Sequence, residues 1–316
     1  MIIKDIFRKN LRYIKFIVSI CLVLLAFRYL DFYLIQSAIL KLNAREFLFS
    51  ASIILLMFIL MFFRWLLIFG NISKPRVFYV FAVFFKSLFI NFFTPANIGG
   101  DVFRLMTLSS SSVSKSQVMK ALLTERFFGF FGFIIIFAIS YLIVFGDLRE
   151  HNFFTTEFIF ACGLLFLLFV FLCFGKKLLF FIKSFVNFKL LLLLSNVFDF
   201  FLDFALPKRA TGIMILTFTS TVMWFFSINI VAKSIGLHLS LFEVALVATT
   251  VEIIRFIPLT VQGLGLREGL FAILLGGLGY SYELSYTLGI LSYAMLSVCI
   301  LLCGPIAYLV GLLDVR

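Results

Sequence analysis

Two stretches of the chain decide how it is read: Pro95-Ala-Asn-Ile-Gly-Gly-Asp-Val-Phe-Arg104 and Pro258-Leu-Thr-Val-Gln-Gly-Leu-Gly-Leu-Arg-Glu-Gly269. Each places a proline, then Gly99-Gly100 or Gly263-Leu264-Gly265, then an acidic residue and an arginine, between strongly apolar runs. Proline lacks an N–H and disfavours helix in the residue before it, so Pro95 and Pro258 are expected as structural breakpoints. The glycines permit a tight turn and let a ligand approach bare backbone. Charge beside helix breakers at membrane depth is costly and marks a substrate or ion path. Paired interruptions in the two halves of a membrane chain point to a transporter's binding site.

Composition sets the class. The 316 residues are 63% hydrophobic and 13% charged, with mean hydropathy +1.18, more apolar surface than a soluble core needs. An all-α polytopic membrane protein is predicted. The formal charge of +12 does not imply nucleic acid, because the Lys and Arg sit between apolar runs, as cytoplasmic loop charges do. Cys21, Cys162, Cys173, Cys299 and Cys303 lie inside apolar runs without metal-ligand spacing, so no metal or cofactor is expected. His151 and His238 fall in predicted external loops.

Runs long enough to span occur at about 14–34, 47–69, 127–145, 153–174, 211–232 and 285–311, giving about six spanning helices. Lys4, Arg8, Lys9, Arg12 and Lys15 precede the first of them, and no small-residue cleavage site follows, so an uncleaved first helix is expected. Regions 77–108 and 241–279 read as re-entrant, Pro/Gly-broken hairpins. Arg64, Lys74 and Arg76 mark a cytoplasmic link, and the lysines of 176–209 mark another. Both stay inside only if the first hairpin returns to the face it entered. The second hairpin then enters from the opposite face, as in an inverted repeat. The expected organisation is one integral membrane domain, 1–316. Its first half, about 1–175, and second half, about 210–316, are joined by an interfacial linker helix over 176–209. Both termini are expected in the cytoplasm, with the chain multi-pass in the cell's inner (cytoplasmic) membrane.

The candidate substrate-binding residues follow from the interruptions. Asp101 and Arg104 are spaced i,i+3 and share a helix face. Gly99 and Gly100 leave N–H groups at a helix start, a natural seat for phosphate. Arg267 and Glu268, after Gly263 and Gly265, are adjacent, so one faces the cavity while the other pairs elsewhere. Glu252 and Arg255, again i,i+3, are candidate partners on the incoming leg. Glu125-Arg126 reads either as the charged start of a span or as a third polar element. No catalytic residue is singled out, and no P-loop is present.

The pattern Pro-x-x-x-Gly-Gly-Asp-x-x-Arg over 95–104, Glu125-Arg126, and Pro258…Gly263-x-Gly265-x-Arg267-Glu268 resembles the lysylphosphatidylglycerol synthase/flippase transmembrane family. This is the membrane domain of the multiple peptide resistance factor and its stand-alone relatives. The likeness covers nearly the whole chain, although Phe127-Phe128-Gly129 stands where the family often has an acidic residue. The chain runs to Arg316 without the soluble aminoacyl-transferase domain, so the resemblance implies a lipid mover without synthase activity.

The expected function is therefore a membrane lipid flippase, carrying a phospholipid or a polyprenyl-phosphate lipid by alternating access between the two hairpins. Arg104 and Arg267 would hold phosphate, while Asp101 and Glu268 would balance them or meet a cationic headgroup. The alternatives are a membrane enzyme or enzyme subunit acting on lipid-linked sugars, with Asp101 or Glu268 as general base, and a small-anion carrier. Partners consistent with this reading are a second copy of the chain or a separate synthase or glycosyltransferase.

Overall fold

The computed structural model describes residues 32–40, 43–70, 77–94, 98–109, 113–146, 207–255 and 263–313, with a few more between 155 and 163. The spans expected at 14–34 and 153–174 and the linker helix at 176–209 fall wholly or largely outside these residues, as do Pro95 and Pro258. The described chain is helical: α1 (Phe32–Leu40), α2 (Ala44–Phe69), α3 (Val77–Phe92), α4 (Gly99–Leu108), α5 (Lys115–Phe145), α6 (Pro207–Ser234), α7 (Leu241–Arg255), α8 (Leu266–Gly277) and α9 (Tyr282–Leu313). Four segments are long and apolar enough to cross a bilayer, Ala44–Phe69, Lys115–Phe145, Arg209–Ser234 and Tyr282–Leu309. This is an all-α polytopic membrane protein. Large apolar side chains such as Phe49, Phe63, Leu142, Ile143, Ile215 and Leu302 stand exposed on these helices, as a surface solvated by lipid requires.

Local chemistry sets the helix ends. Asn43 caps α2 by accepting from the Arg45 N–H at 3.0 Å. Ser114 and Gln117 form a capping box at the start of α5, and Gly146 closes that helix in the left-handed conformation. The expected span at 127–145 thus begins earlier, at Lys115, which places Glu125-Arg126 inside a helix of 31 residues. The two interrupted regions are helical hairpins, α3–α4 and α7–α8.

Helices α2 and α6 pack antiparallel. Ser50 Oγ donates to the Ser227 carbonyl at 2.8 Å, and Arg64 Nη1 donates to Thr217 Oγ1 at 3.4 Å. The remaining packing is paired between the halves. Helix α3 lies on α9 as α7 lies on α5, α4 meets α5 as α8 meets α9, and α2 meets α5 as α6 meets α9. Exchanging α2–α5 with α6–α9 reproduces these contacts. With α2 antiparallel to its counterpart α6, this is the pattern of an inverted repeat.

The first hairpin closes tightly because Gly100 has no side chain. A Cβ there would run into the Ser87 carbonyl oxygen of α3. The Gly100 N–H donates to Asn91 Oδ1 at 2.6 Å, and the Gly99 N–H donates to Thr94 Oγ1 at 3.1 Å. Gly100→Ala is expected to destabilise the protein by about 1–3 kcal/mol, as overpacking does. Gly269→Ala, where an added Cβ meets nothing within 4 Å, should leave stability unchanged or slightly raised. Melting temperatures of the two variants in detergent test the contrast.

Candidate functional site

A cavity of about 400 Å³ lies between the two hairpins. Its wall includes Met57 and Phe58 of α2, Trp224 of α6 and Leu296 of α9, residues from the middle of three spans. Five arginines line it (Arg64, Arg104, Arg126, Arg255 and Arg267), together with three carboxylates (Asp101, Glu125 and Glu252). Five against three leaves a formal excess of positive charge. Phe84, Phe92, Phe130 and Phe133 supply much of the apolar wall.

In the first half every lining charge is paired. Glu125 bridges two arginines: Oε1 accepts from Arg64 Nη2 at 3.3 Å, and Oε2 accepts from Arg104 Nη1 at 2.7 Å. Arg104 Nη2 also donates to Asp101 Oδ1 at 2.6 Å. The other oxygen of Asp101 accepts from Arg126, whose Nε stands at 2.8 Å and whose Nη2 also pairs with it. The Arg104 guanidinium lies over the Trp65 ring, 4.5 Å from its centroid. Arg64, Arg104 and Glu125 are all buried. Such ions are tolerated because each carboxylate oxygen meets a guanidinium N–H, which offsets the loss of water.

The second half is built differently. Arg255 pairs with Glu252 at 2.6 Å, and the Tyr293 hydroxyl donates to Glu252 Oε1 at 2.8 Å. Arg267 lies over the Tyr293 ring, 4.0 Å from its centroid, an attraction between a cation and the ring's negative face. It is 8% exposed, and its Nε has no hydrogen-bond partner. Among the described residues no carboxylate forms a salt bridge with it. The turn explains its placement. Gly263 has φ +77° and Gly265 φ +78°, conformations that glycine adopts without strain. The Gly263 carbonyl accepts from the Arg267 N–H at 2.9 Å, and the Arg267 side chain folds back across Gly263. A Cβ at Gly263 would stand 3.0 Å from Arg267 Cγ and Cδ.

Of the residues predicted for binding, the cavity gathers Asp101, Arg104, Glu125, Arg126, Glu252, Arg255, Gly263 and Arg267. Glu268 is not in its wall. It is turned toward α9, where Gly289 lets the Glu268 backbone approach, and its Oε2 is buried without a partner. The amides of Gly99 and Gly100, expected to face a ligand, are instead engaged by Thr94 and Asn91. Arg64, expected at a cytoplasmic link, is buried in α2 as a member of the site. Sequence reasoning also passed over Trp65 and Tyr293. An arginine beside a tryptophan within an apolar run was the available signal for the first pair.

Helical repeats around a charged cavity, with large apolar side chains exposed on the spans, define a polytopic membrane protein with a polar site among its spans. The chain belongs to the family described as "Lysylphosphatidylglycerol synthase TM region", whose model matches residues 12–304. It is thus a membrane protein of the lipid synthase/flippase type. No curated protein and no solved structure matches it.

Removing the Glu125 charge leaves Arg64 and Arg104 facing one another in a buried site. Glu125→Gln is expected to cost about 3–5 kcal/mol, read as a fall in melting temperature or in the yield of folded protein. Adding Arg64→Met should recover part of that loss. A double variant no more stable than Glu125→Gln alone would show that the bridge does not hold the fold.

Proposed function

We propose that this chain moves a phospholipid or a lipid-linked intermediate across the cytoplasmic membrane, by alternating access of the cavity between the α3–α4 and α7–α8 hairpins. The observation that carries this reading is the arginine-rich cavity among membrane spans, with an aromatic wall beside it. A phosphate leaving water for hydrocarbon loses its hydration, a cost of many kcal/mol for a bare ion. Arginine donors inside the protein replace that hydration and lower the barrier. The phenylalanines offer a surface along which the chains can remain in apolar contact. Asp101 and Glu125 hold Arg104 in place, and among the described lining arginines Arg267 is the one without a salt bridge. Both termini lie in the cytoplasm in this reading, so the hairpins enter from opposite faces. No covalent chemistry is needed, and the lining hydroxyls fit a supporting role: Ser220, Thr221 and Ser297 all donate to backbone carbonyls of their own helices.

Reconstitution in liposomes with fluorescent phospholipids and polyprenyl-phosphate lipids tests the reading. Wild type should accelerate exchange between leaflets. Arg104→Ala and Arg267→Ala should each slow it by about tenfold or more, the worth of a charged hydrogen bond. Arg267→Ala is the cleaner probe, because Arg104 also braces the fold. Exchange unaffected by Arg267→Ala, or absent from folded wild type with every lipid tried, would remove the proposal.

A further inference from the structure

Resting on the lipid reading above, we infer that the cavity selects lipids whose headgroup is a net anion and rejects headgroups bearing an added cationic amine, with Arg267 as the residue that meets the phosphate. The family's description names a lipid with a lysyl group, and a lysyl group adds positive charge. Recognition of such a group requires a carboxylate free to accept from it. Among the described residues, every carboxylate of the wall is already paired with an arginine. Both oxygens of Asp101 and both of Glu125 are taken by arginines. Glu252 gives one oxygen to Arg255 and the other to the Tyr293 hydroxyl. Glu268, the remaining carboxylate of the second hairpin, is not part of the wall.

The inverted repeat shows how the vacant charge arises. In each half an arginine from the hairpin's returning helix meets a residue in the first half of the next span. In the first half that residue is Glu125, a carboxylate, and Arg104 is neutralised. In the second half it is Tyr293, and Arg267 receives a ring face. The ring positions the guanidinium without taking its N–H donors. A well-placed cation, more than nine-tenths buried, thus faces a cavity whose other arginines outnumber their carboxylates. An anion entering there gains charge-assisted hydrogen bonds. A cation meets a wall with an excess of positive charge, at low dielectric where repulsion is weakly screened.

The chain reports on this site by itself, since it contains two tryptophans. Trp65 lies under Arg104, and Trp224 is in the wall, edge-on to Tyr293 with centroids 5.7 Å apart. The full chain in phosphatidylcholine nanodiscs would be titrated with short-chain phosphatidylglycerol, lysylphosphatidylglycerol, phosphatidylcholine and inorganic phosphate, following tryptophan fluorescence. Phosphatidylglycerol should bind at least about tenfold more tightly than the lysyl lipid. Arg267→Gln should abolish that preference, and Arg267→Lys should retain part of it. A melting temperature confirms that each variant is folded. Equal or tighter binding of the lysyl lipid would overturn the inference while leaving a lipid carrier in place. Inorganic phosphate binding as tightly as phosphatidylglycerol would overturn the lipid reading and reassign the site to a soluble anion. No saturable change with any ligand would overturn both.

Discussion

The bridge from Arg64 through Glu125 to Arg104 is the interaction on which the rest of the site depends. It joins three elements distant in sequence: a span, the returning leg of a hairpin, and the next span. Each ion alone would be untenable among apolar side chains, and together they are stable only in this geometry. The bridge therefore fixes how the first hairpin sits against the spans. Arg104 is further constrained by Asp101 one helical turn back and by the Trp65 face. Its charge is consumed in structure, which is why it makes a poor lone test of ligand binding.

The second half of the fold repeats the architecture and changes the chemistry. Antiparallel packing of α2 on α6, and the matched contacts around it, give the two hairpins equivalent surroundings. Equivalent surroundings do not require equivalent charges. Tyr293 spends its hydroxyl on Glu252 and its ring on Arg267, so one residue holds a carboxylate and an arginine without letting them neutralise one another. The cavity acquires a half whose charges are paired and a half with charge left over. For a carrier this division is useful: a site fully neutral within itself has little attraction for a ligand, and a site wholly unpaired does not fold.

Much of this was legible before any coordinates. The Pro/Gly interruptions located both hairpins, because helix breakers flanked by charge have few other uses inside apolar sequence. The charge count over loops implied opposite entry, which agrees with the antiparallel α2 and α6. What stayed hidden was the side-chain pairing. Arg64 looked like a loop cation because it lies near the end of its apolar run, and sequence does not reveal that α5 and α6 cover it. Glu125-Arg126 reads from sequence either as a helix start or as a third polar element, because the apolar run begins at 127; the capping box at Ser114 places it within the helix. The glycine amides looked free because Thr94 and Asn91 carry no motif. For the adjacent pair Arg267 and Glu268, spacing separated their directions, and only packing at Gly289 chose which faces the cavity.

The geometry of Gly263 ties this choice to the fold. Its positive φ turns the chain so that its carbonyl caps the first turn of α8, and its missing side chain leaves room for Arg267 to fold back over it. A bulkier residue would face both a strained backbone and the Arg267 stem. In the proposed site the glycine would thus act through the arginine it positions, without contributing a donor. The same holds for Gly100, whose amide is spent on Asn91 and whose lack of a side chain lets α4, with Arg104, lie against α3. Both glycines act as spacers for arginines, and the proton donors that make the cavity attractive to an anion belong to side chains.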